Sequence, residues 1–215
     1  MLDYLELKKQ LEDYYKKTTY VNDQFLDQII PVIRRMESLQ AESCTDRPIL
    51  IAIDGNSTAG KSSFATMLQK LFRCNLFHMD DFFLRPEQRT RERAMEPGGN
   101  VDYERFYQEI IEPLLAGQTV LYHPLDCKTM SYKAQVTEQP HMLNIIEGAY
   151  CQHSYFGDIY DLRIFMVVGA EEQKLRVKAR DPWLYGRYIK EWIPMENSYS
   201  SFFGIKEQSD YVIYT

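Results

Sequence analysis

The sequence lacks the features that define several other classes of protein. Its 215 residues contain no uninterrupted run of about 18 apolar residues, and the segment MLDYLELKKQLEDYY has no apolar core of the kind a signal peptide requires. The four cysteines form no CxxC pair and no metal-ligand spacing. We therefore expect a soluble, cytoplasmic protein with reduced thiols and without a membrane segment, a zinc site or a disulfide framework.

Positive charge and low-complexity sequence are also scarce. The formal net charge is -6 and the pI is about 5.3, which disfavours a nucleic-acid binder with a globally basic surface but not the binding of a small anion. Glycine and proline number only 10 and 9, beside 45% hydrophobic and 26% charged residues, so the chain is neither disordered nor collagenous. The length fits one compact domain with a substantial core.

The apolar pattern alternates between strand spacing and helix spacing. Residues 49–53, ILIAI, form a continuous apolar run, as expected for a strand buried on both faces. Residues 64–72 then carry apolar side chains at the spacing of one helix face. Further strands are predicted at 76–79, 119–122, 142–146, 164–168 and 211–214. Strands alternating with helices predict an α/β fold in which a parallel sheet is covered on both sides.

Two regions lie outside this alternation. Residues 1–46 are rich in helix formers and predict an N-terminal extension of two helices, the second kinked at Pro31 or starting there, before a domain spanning 47–215. Residues 80–101 are polar and contain Pro97-Gly98-Gly99, which predicts a long loop. A long loop in a compact domain is usually functional.

A glycine-rich segment follows the first predicted strand and matches the pattern G-x-x-x-x-G-K-[ST]. Gly55 and Gly60 allow the backbone to curl around a phosphate chain with its N–H groups inward, and the following helix adds its positive end. Lys61 supplies a cation for the β and γ phosphates, while the Ser62 hydroxyl is placed to ligate Mg²⁺. The predicted ligand is a nucleoside triphosphate, bound by Gly55, Asn56, Ser57, Thr58, Ala59, Gly60, Lys61, Ser62 and Ser63.

Three further segments bear on the chemistry. Asp80 and Asp81 follow an apolar strand at the edge where α/β sheets bind ligands. A carboxylate there can accept a proton from an attacking hydroxyl; the alternative is that Asp80 or Asp81 caps a turn or a helix. Glu147 also ends a strand, where it holds Mg²⁺ through water or faces solvent. Arg176 and Arg180 share a helix face and suit the charge on a transferring phosphoryl group, unless the helix is merely a solvated basic one.

Taken in order, the segments GNSTAGKSS, HMDDFF, NIIEGAY and RVKARD resemble the uridine kinase-like group of P-loop kinases, which includes nicotinamide riboside kinase. The resemblance covers residues 49–215 and is carried by the order of the motifs. It implies a three-layer α/β/α P-loop fold with Asp80 as catalytic base. It also implies Glu147 positioning Mg²⁺ and a lid that carries Arg176 and Arg180.

The acceptor region matches this group only in part. Asn100-Val101-Asp102 is similar to the Asn-Phe-Asp with which uridine kinases hold the sugar hydroxyls, which implies Asp102, together with the adjacent Tyr103, as acceptor ligands. Uridine kinases continue with Tyr-Asp-Phe and a nearby His that read the pyrimidine, whereas this chain has Leu125-Asp126-Cys127 and Met130. The sequence therefore does not single out uridine.

The sequence predicts an ATP- and Mg²⁺-dependent kinase that phosphorylates a hydroxyl of a nucleoside-like small molecule, with no nucleic-acid or membrane partner and with homo-oligomerisation left open. Three alternatives remain at this point. One is a regulatory protein in which ATP switches the 80–101 loop, and another is a pantothenate or sugar kinase on the same scaffold. The third is a monophosphate kinase whose acceptor phosphate is bound by Arg85, Arg89, Arg91 and Arg93, unless that loop is simply solvated.

Overall fold

The computed structural model describes residues 9, 11, 23–43 and 47–215 of the chain. The first of the two helices predicted before residue 47 lies outside these residues, apart from Lys9 and Leu11. Within the described ranges, no helix combines the length and apolarity needed to cross a membrane.

The described chain alternates between strands and helices along most of its length. Its strands are β1 (Ile49–Gly55), β2 (Cys74–His78), β3 (Val120–Tyr122), β4 (Leu125–Asp126), β5 (Ser131–Tyr132), β6 (Val136–Glu138), β7 (Leu143–Glu147), β8 (Leu162–Val167) and β9 (Tyr211–Tyr214). Its α-helices are α1 (Asp23–Glu42), α2 (Lys61–Leu71), α3 (Arg91–Met95), α4 (Tyr103–Phe106), α5 (Glu112–Leu115), α6 (Ala170–Arg180), α7 (Tyr185–Arg187), α8 (Ile193–Phe203) and α9 (Ile205–Gln208). Turns of π-helix at Tyr107–Ile111 and Tyr188–Trp192 join α4 to α5 and α7 to α8.

Five parallel strands form the central sheet in the order β2-β7-β1-β8-β9. All seven residues of β1 are buried, as the continuous apolar run predicts for a strand covered on both faces. The predicted α/β class with a mostly parallel sheet is confirmed. Because β1 and β7 are adjacent and in register at Ile53 and Glu147, the polar residues that end these strands come to one edge.

Each face of the sheet carries its own apolar core. One core joins Leu26 and Ile29 of α1 and Phe64 of α2 to Ile51 of β1 and Ile213 of β9. The opposite core contains Leu50 and Phe77 from the sheet, with Phe82, Phe106 and Ile110 from the segments after β2. Successive side chains of β1 thus enter different cores, which gives the three-layer arrangement.

Helix α1 begins at Asp23 and continues through Pro31, so the second predicted helix does not start at that proline. Pro31 is exposed, while Ile29, Ile30, Val32 and Ile33 around it are buried, so packing holds the helix together despite the lost backbone hydrogen bond. The helix also contacts the last strand. The Gln28 side chain accepts a hydrogen bond from Tyr214 N at 2.8 Å and donates one to Tyr214 O at 3.1 Å.

Two predicted elements differ from the structure. Residues 119–122 do not join the parallel sheet: β3 pairs with β6, and β4 with β5, each in an antiparallel ribbon. The burial of Val120 and Tyr122 beside exposed Leu121 is the alternation of a half-covered strand. Residues 80–101 are not an irregular loop either, because they contain 3-10 turns at Met79–Phe82 and Pro86–Gln88 together with α3.

Candidate active site

The glycine-rich loop curls tightly between β1 and α2. Gly55 has a φ of 138°, and a Cβ built there would lie 2.1 Å from the Met166 carbonyl oxygen, so a side chain does not fit. Gly60, with a φ of 91°, leads into the first turn of α2, and Thr58 also has positive φ. This curl and the helix amino terminus are the two features that the sequence motif predicts for a phosphate cradle.

Lys61 lies across this loop. Its Nζ donates hydrogen bonds to the carbonyl oxygens of Gly55, at 2.8 Å, and Asn56, at 3.0 Å. Ser62 and Ser63 follow in the exposed first turn of α2. The loop therefore presents an ammonium group and hydroxyl groups at the carboxyl end of the central strand.

Side chains from the end of the chain and from α6 hold the carbonyl groups of the loop. Gln173 Nε2 donates to Ser57 O at 3.0 Å, and Arg176 Nη1 donates to Thr58 O at 3.3 Å. Thr215 Oγ1 donates to Ala59 O at 3.2 Å. Of the two predicted lid arginines, the structure therefore places Arg176 on the loop itself.

Arg180 lies elsewhere, at the end of α6. Its guanidinium donates to Asp181 Oδ2 at 2.8 Å and to the Tyr188 hydroxyl oxygen at 2.5 Å, so it joins α6 to the π turn after α7. The structure does not bring Arg180 onto the glycine-rich loop. Burial raises the pKa of its neighbour Tyr188, and the charge of Asp80 contributes to that rise.

Glu196 of α8 binds the loop and was missed by the sequence analysis. Its Oε2 accepts a hydrogen bond from the backbone N–H of Ser57 at 2.9 Å, and its Oε1 accepts one from the Ser57 hydroxyl. Glu196 is buried, and its charge contributes to raising the pKa of Asp80. A carboxylate thus holds one of the amides that a phosphate-binding loop offers to anions.

Asp54, the residue before Gly55, is a second missed acid. Burial raises its pKa to about 6, although the Lys61 charge and hydrogen bonds oppose this rise. Its oxygens accept from Gly55 N at 2.7 Å, from Gln152 N at 3.2 Å and from the Tyr199 hydroxyl at 2.9 Å. An acid at the end of an apolar strand is the signal that identified Asp80 and Glu147, and it applied equally to Asp54.

Asp80 and Asp81 follow β2 and face different partners. Burial by the surrounding protein raises the pKa of Asp80, although the residue is still exposed to solvent. Glu147 raises this pKa further and Lys61 opposes the rise. Desolvation also raises the pKa of Asp81, but the opposing charges there are His78, Lys133 and Arg105. Asp80 is therefore the carboxylate coupled to the lysine of the glycine-rich loop.

Glu147 ends β7 and is buried beside β2. Its Oε1 lies 2.5 Å from Nδ1 of His78, and this hydrogen bond is the main cause of the raised pKa of His78. Among the described residues, no three His, Cys, Asp or Glu side chains cluster as a metal site. Mg²⁺ usually takes one or two protein ligands and completes its shell with water and phosphate oxygens, so Ser62 and Glu147 fit that kind of ion.

The two predicted acceptor ligands already bind protein groups. Asp102 caps α4: its Oδ1 accepts from Arg105 N at 3.1 Å, and its Oδ2 accepts from Gln88 Nε2 at 2.6 Å. Tyr103 is buried, donates its hydroxyl to Glu96 at 2.8 Å and stacks on His153. The structure thus directs the polar atoms of both residues toward protein partners.

No family model matches the chain, and a search of curated proteins finds no match. Solved structures do match. A possible uridine kinase from Bacillus stearothermophilus has a TM-score of 0.61 and 18% identity over 86% of this chain and 98% of its own. D-glycerate 3-kinase from Cryptococcus neoformans has a TM-score of 0.60 and 12% identity over 90% of this chain and 96% of its own. A protein provisionally named a fructose transport system kinase, from Silicibacter sp., has a TM-score of 0.54 and 18% identity over 81% of this chain and 88% of its own. The chain therefore has the fold of P-loop kinases, as the motif order implies.

Proposed function

We propose that the protein is an ATP-dependent kinase that transfers the γ-phosphoryl group to a hydroxyl of a small, nucleoside-like molecule. One observation carries the proposal: the Asp80 carboxylate lies in the turn after β2, where burial raises its pKa and Lys61 of the glycine-rich loop is close enough to oppose that rise. A phosphate cradle beside a basic carboxylate is the minimum that phosphoryl transfer to a hydroxyl requires.

The proposed chemistry is a direct displacement at the γ phosphorus. The acceptor hydroxyl oxygen forms a bond to phosphorus, the bond to the ADP oxygen breaks, and the hydroxyl proton passes to Asp80. A raised pKa makes this carboxylate a better proton acceptor near neutral pH than an ordinary aspartate. Asp80 suits this role because its charge interacts with that of Lys61, whereas the charge of Asp81 interacts with those of Lys133 and Arg105.

The remaining catalytic groups position charge. Lys61 and the loop amides hold the phosphates, and Arg176 fixes the loop through the Thr58 carbonyl group. Ser62 and Glu147 would hold Mg²⁺, which would neutralise phosphate charge when bound. Arg180 keeps the lid role that the sequence predicts: it joins α6 to Tyr188, and closure of this segment would bring its guanidinium over the phosphates.

Supporting observations come from the related folds. Three structurally similar proteins bear the names of kinases whose acceptors differ, a nucleoside, a sugar and a hydroxy acid. All of these acceptors carry a hydroxyl group, so the fold supports the reaction better than it supports any one acceptor. A cytoplasmic location, where ATP is available, belongs to the same proposal.

The test compares Asp80→Asn with Asp81→Asn. We expect Asp80→Asn to bind ATP as the wild type does but to lose about 100-fold or more of acceptor-dependent ADP release, because it cannot take the proton. Asp81→Asn should lose far less. ADP release is followed with a panel of nucleosides, sugars, hydroxy acids and monophosphates, and ATP binding is measured by calorimetry.

Two results would count against the proposal. Near-normal turnover of Asp80→Asn would remove this residue from the mechanism. If no acceptor stimulates ADP release while the wild type still binds ATP, the protein is a nucleotide-binding regulator instead of a kinase.

A further inference from the structure

A group of cationic side chains surrounds the β4–β5 hairpin and lies beside the proposed base. We call Arg85, Arg89, Arg105 and Lys133 the hairpin cluster. The hairpin contacts the catalytic segment, since the Cys127 sulfur lies 3.8 Å from the Asp80 carbonyl oxygen. Arg105 Nη2 donates to the Asp81 carbonyl oxygen at 3.0 Å. The cluster and Asp80 therefore share one region of the molecule.

The arginines converge on the second half of the hairpin. The Cζ atoms of Arg85 and Arg105 lie 5.3 and 5.0 Å from the ring centroid of Tyr132. Arg89 is anchored by its Nε, which donates to Leu84 O at 3.0 Å, and its Nη2 lies 3.8 Å from the Met130 sulfur. The guanidinium groups of Arg85 and Arg89, four residues apart, and that of Arg105, from α4, thus approach residues 130–132.

The members differ in how far they are neutralised. Arg85 pairs with Glu87 at 3.0 Å and Arg105 with Glu109 at 3.1 Å. Within the described part of the chain, no carboxylate oxygen lies within 4 Å of Arg89 or Lys133. Arg89 is exposed but held by its carbonyl anchor, so its charge is both accessible and fixed in place.

Other arginines of the same stretch do not share this property. Arg93 is bound by both oxygens of Glu104, at 2.8 and 3.1 Å, and its guanidinium lies over the Tyr103 ring. Arg91 is exposed on α3. The four arginines that the sequence groups as one acceptor site are therefore separated, and only Arg85 and Arg89 face the hairpin.

We infer that the acceptor carries an acid group, a carboxylate or a phosphate, which Arg89 and the rest of the hairpin cluster bind while its hydroxyl faces Asp80. This inference rests on the proposed kinase function. A guanidinium offers parallel N–H donors that match both kinds of anion, and an anchored one loses little freedom when it binds.

The experiment compares matched acid and neutral acceptors. ADP release is measured with D-glycerate against glycerol, ribose 5-phosphate against ribose, and uridine monophosphate against uridine. We expect kcat/KM for at least one acid acceptor to exceed that of its neutral partner by about 10-fold or more, because the neutral partner lacks a charge-assisted hydrogen bond to the cluster. The glycerate and phosphate arms distinguish a carboxylate from a phosphate.

Arg89→Met and its neighbour Arg91→Met form the variant pair. Arg89→Met should raise the KM for the acid acceptor about 10-fold or more, with little change in kcat or in the KM for ATP, and Arg91→Met should change each by less than about 2-fold. Both residues are exposed, so neither substitution leaves a buried cavity. A kcat loss in Arg89→Met with an unchanged KM would contradict a binding role.

The outcomes separate this inference from the kinase proposal. Turnover that is equal for acid and neutral acceptors, or equal in the two variants, overturns the acid site and leaves the kinase proposal standing. If nothing is turned over, the kinase proposal fails. Calorimetric binding of D-glycerate and of inorganic phosphate to wild type and Arg89→Met then decides on the anion site itself, which is rejected if the two proteins bind alike.

Discussion

Lys61 is the cation around which the acids of the site are arranged. Its charge lowers the pKa values of Asp54 and Asp80, each of which burial raises. Glu196 adds a further carboxylate through Ser57, and its charge also raises the pKa of Asp80. A triphosphate entering the loop therefore meets several negative charges and one lysine, which explains why bound Mg²⁺ belongs to the proposed reaction.

Glu196 competes with phosphate for the Ser57 amide, so its charge should weaken nucleotide binding. We predict that Glu196→Gln binds Mg-ATP about 5- to 10-fold more tightly than the wild type, because the neutral amide is displaced more readily and does not repel the phosphates. The measurement is a calorimetric titration. Glu191→Gln, on the exposed face of the preceding π turn, is the control and should bind as the wild type does. Unchanged or weaker binding by Glu196→Gln would show that this carboxylate does not oppose the nucleotide.

Asp54 should make the stability of the fold depend on pH. Its pKa is about 6 in the folded protein and 3.8 in the unfolded chain, so between pH 4 and 6 the folded state holds the extra proton. The free energy of unfolding therefore falls as the pH rises through this window, by about 3 kcal/mol from this residue alone.

The check is chemical denaturation of wild type and Asp54→Asn from pH 4 to pH 7. The difference in unfolding free energy between the two proteins should change in favour of the variant as the pH rises, since asparagine does not ionise. Asparagine has one acceptor oxygen in place of the two that accept from Gly55, Gln152 and Tyr199. The substitution therefore also removes hydrogen bonds, and only the pH trend is diagnostic. A difference that stays constant with pH would contradict the raised pKa.

At the scale of elements, the sequence predicts correctly those strands, turns and helices whose pattern lies within a few consecutive residues. The apolar run of β1, the glycine-rich turn and the amphipathic α2 are neighbours in the chain, and each lies where its pattern indicates. The run at 119–122 was assigned to the wrong sheet, because the same short alternation fits any half-covered strand. Pro31 was predicted to kink the second helix or to start it, and the start is wrong, because the apolar residues around Pro31 pack into the core and the helix continues through it.

The candidate site divides in the same way. Asp80 and Glu147 were identified as acids ending strands, and Asp54 was open to the same reasoning. Glu196 could not be identified in this way. Its hydrogen bond to Ser57 joins residues 139 positions apart, and the helix that carries Glu196 has no distinctive motif. Asp102, just before α4, caps that helix, and its predicted role as an acceptor ligand stays a prediction.

For the whole molecule, the order of the strands in the sheet determines where the candidate site residues lie. Parallel strands β2, β7 and β1 are adjacent, so Asp80, Glu147 and the glycine-rich loop leave the sheet at the same edge. Helix α8 returns over the loop from the far end of the chain, and α1 packs with α2 in the core that includes Ile213 of β9. A protein of net charge -6 thus concentrates its phosphate-binding groups in one small region.

The most direct test of the account is whether that region binds a triphosphate. Titration of Mg-ATP into the wild type and into Lys61→Ala, each shown to be folded by thermal denaturation, measures this by calorimetry. The account predicts one saturable site in the wild type and an affinity lower by about 10-fold or more in the variant, because the ammonium group contacts the phosphates. Absence of binding to the folded wild type, or equal affinity of the two proteins, would contradict it.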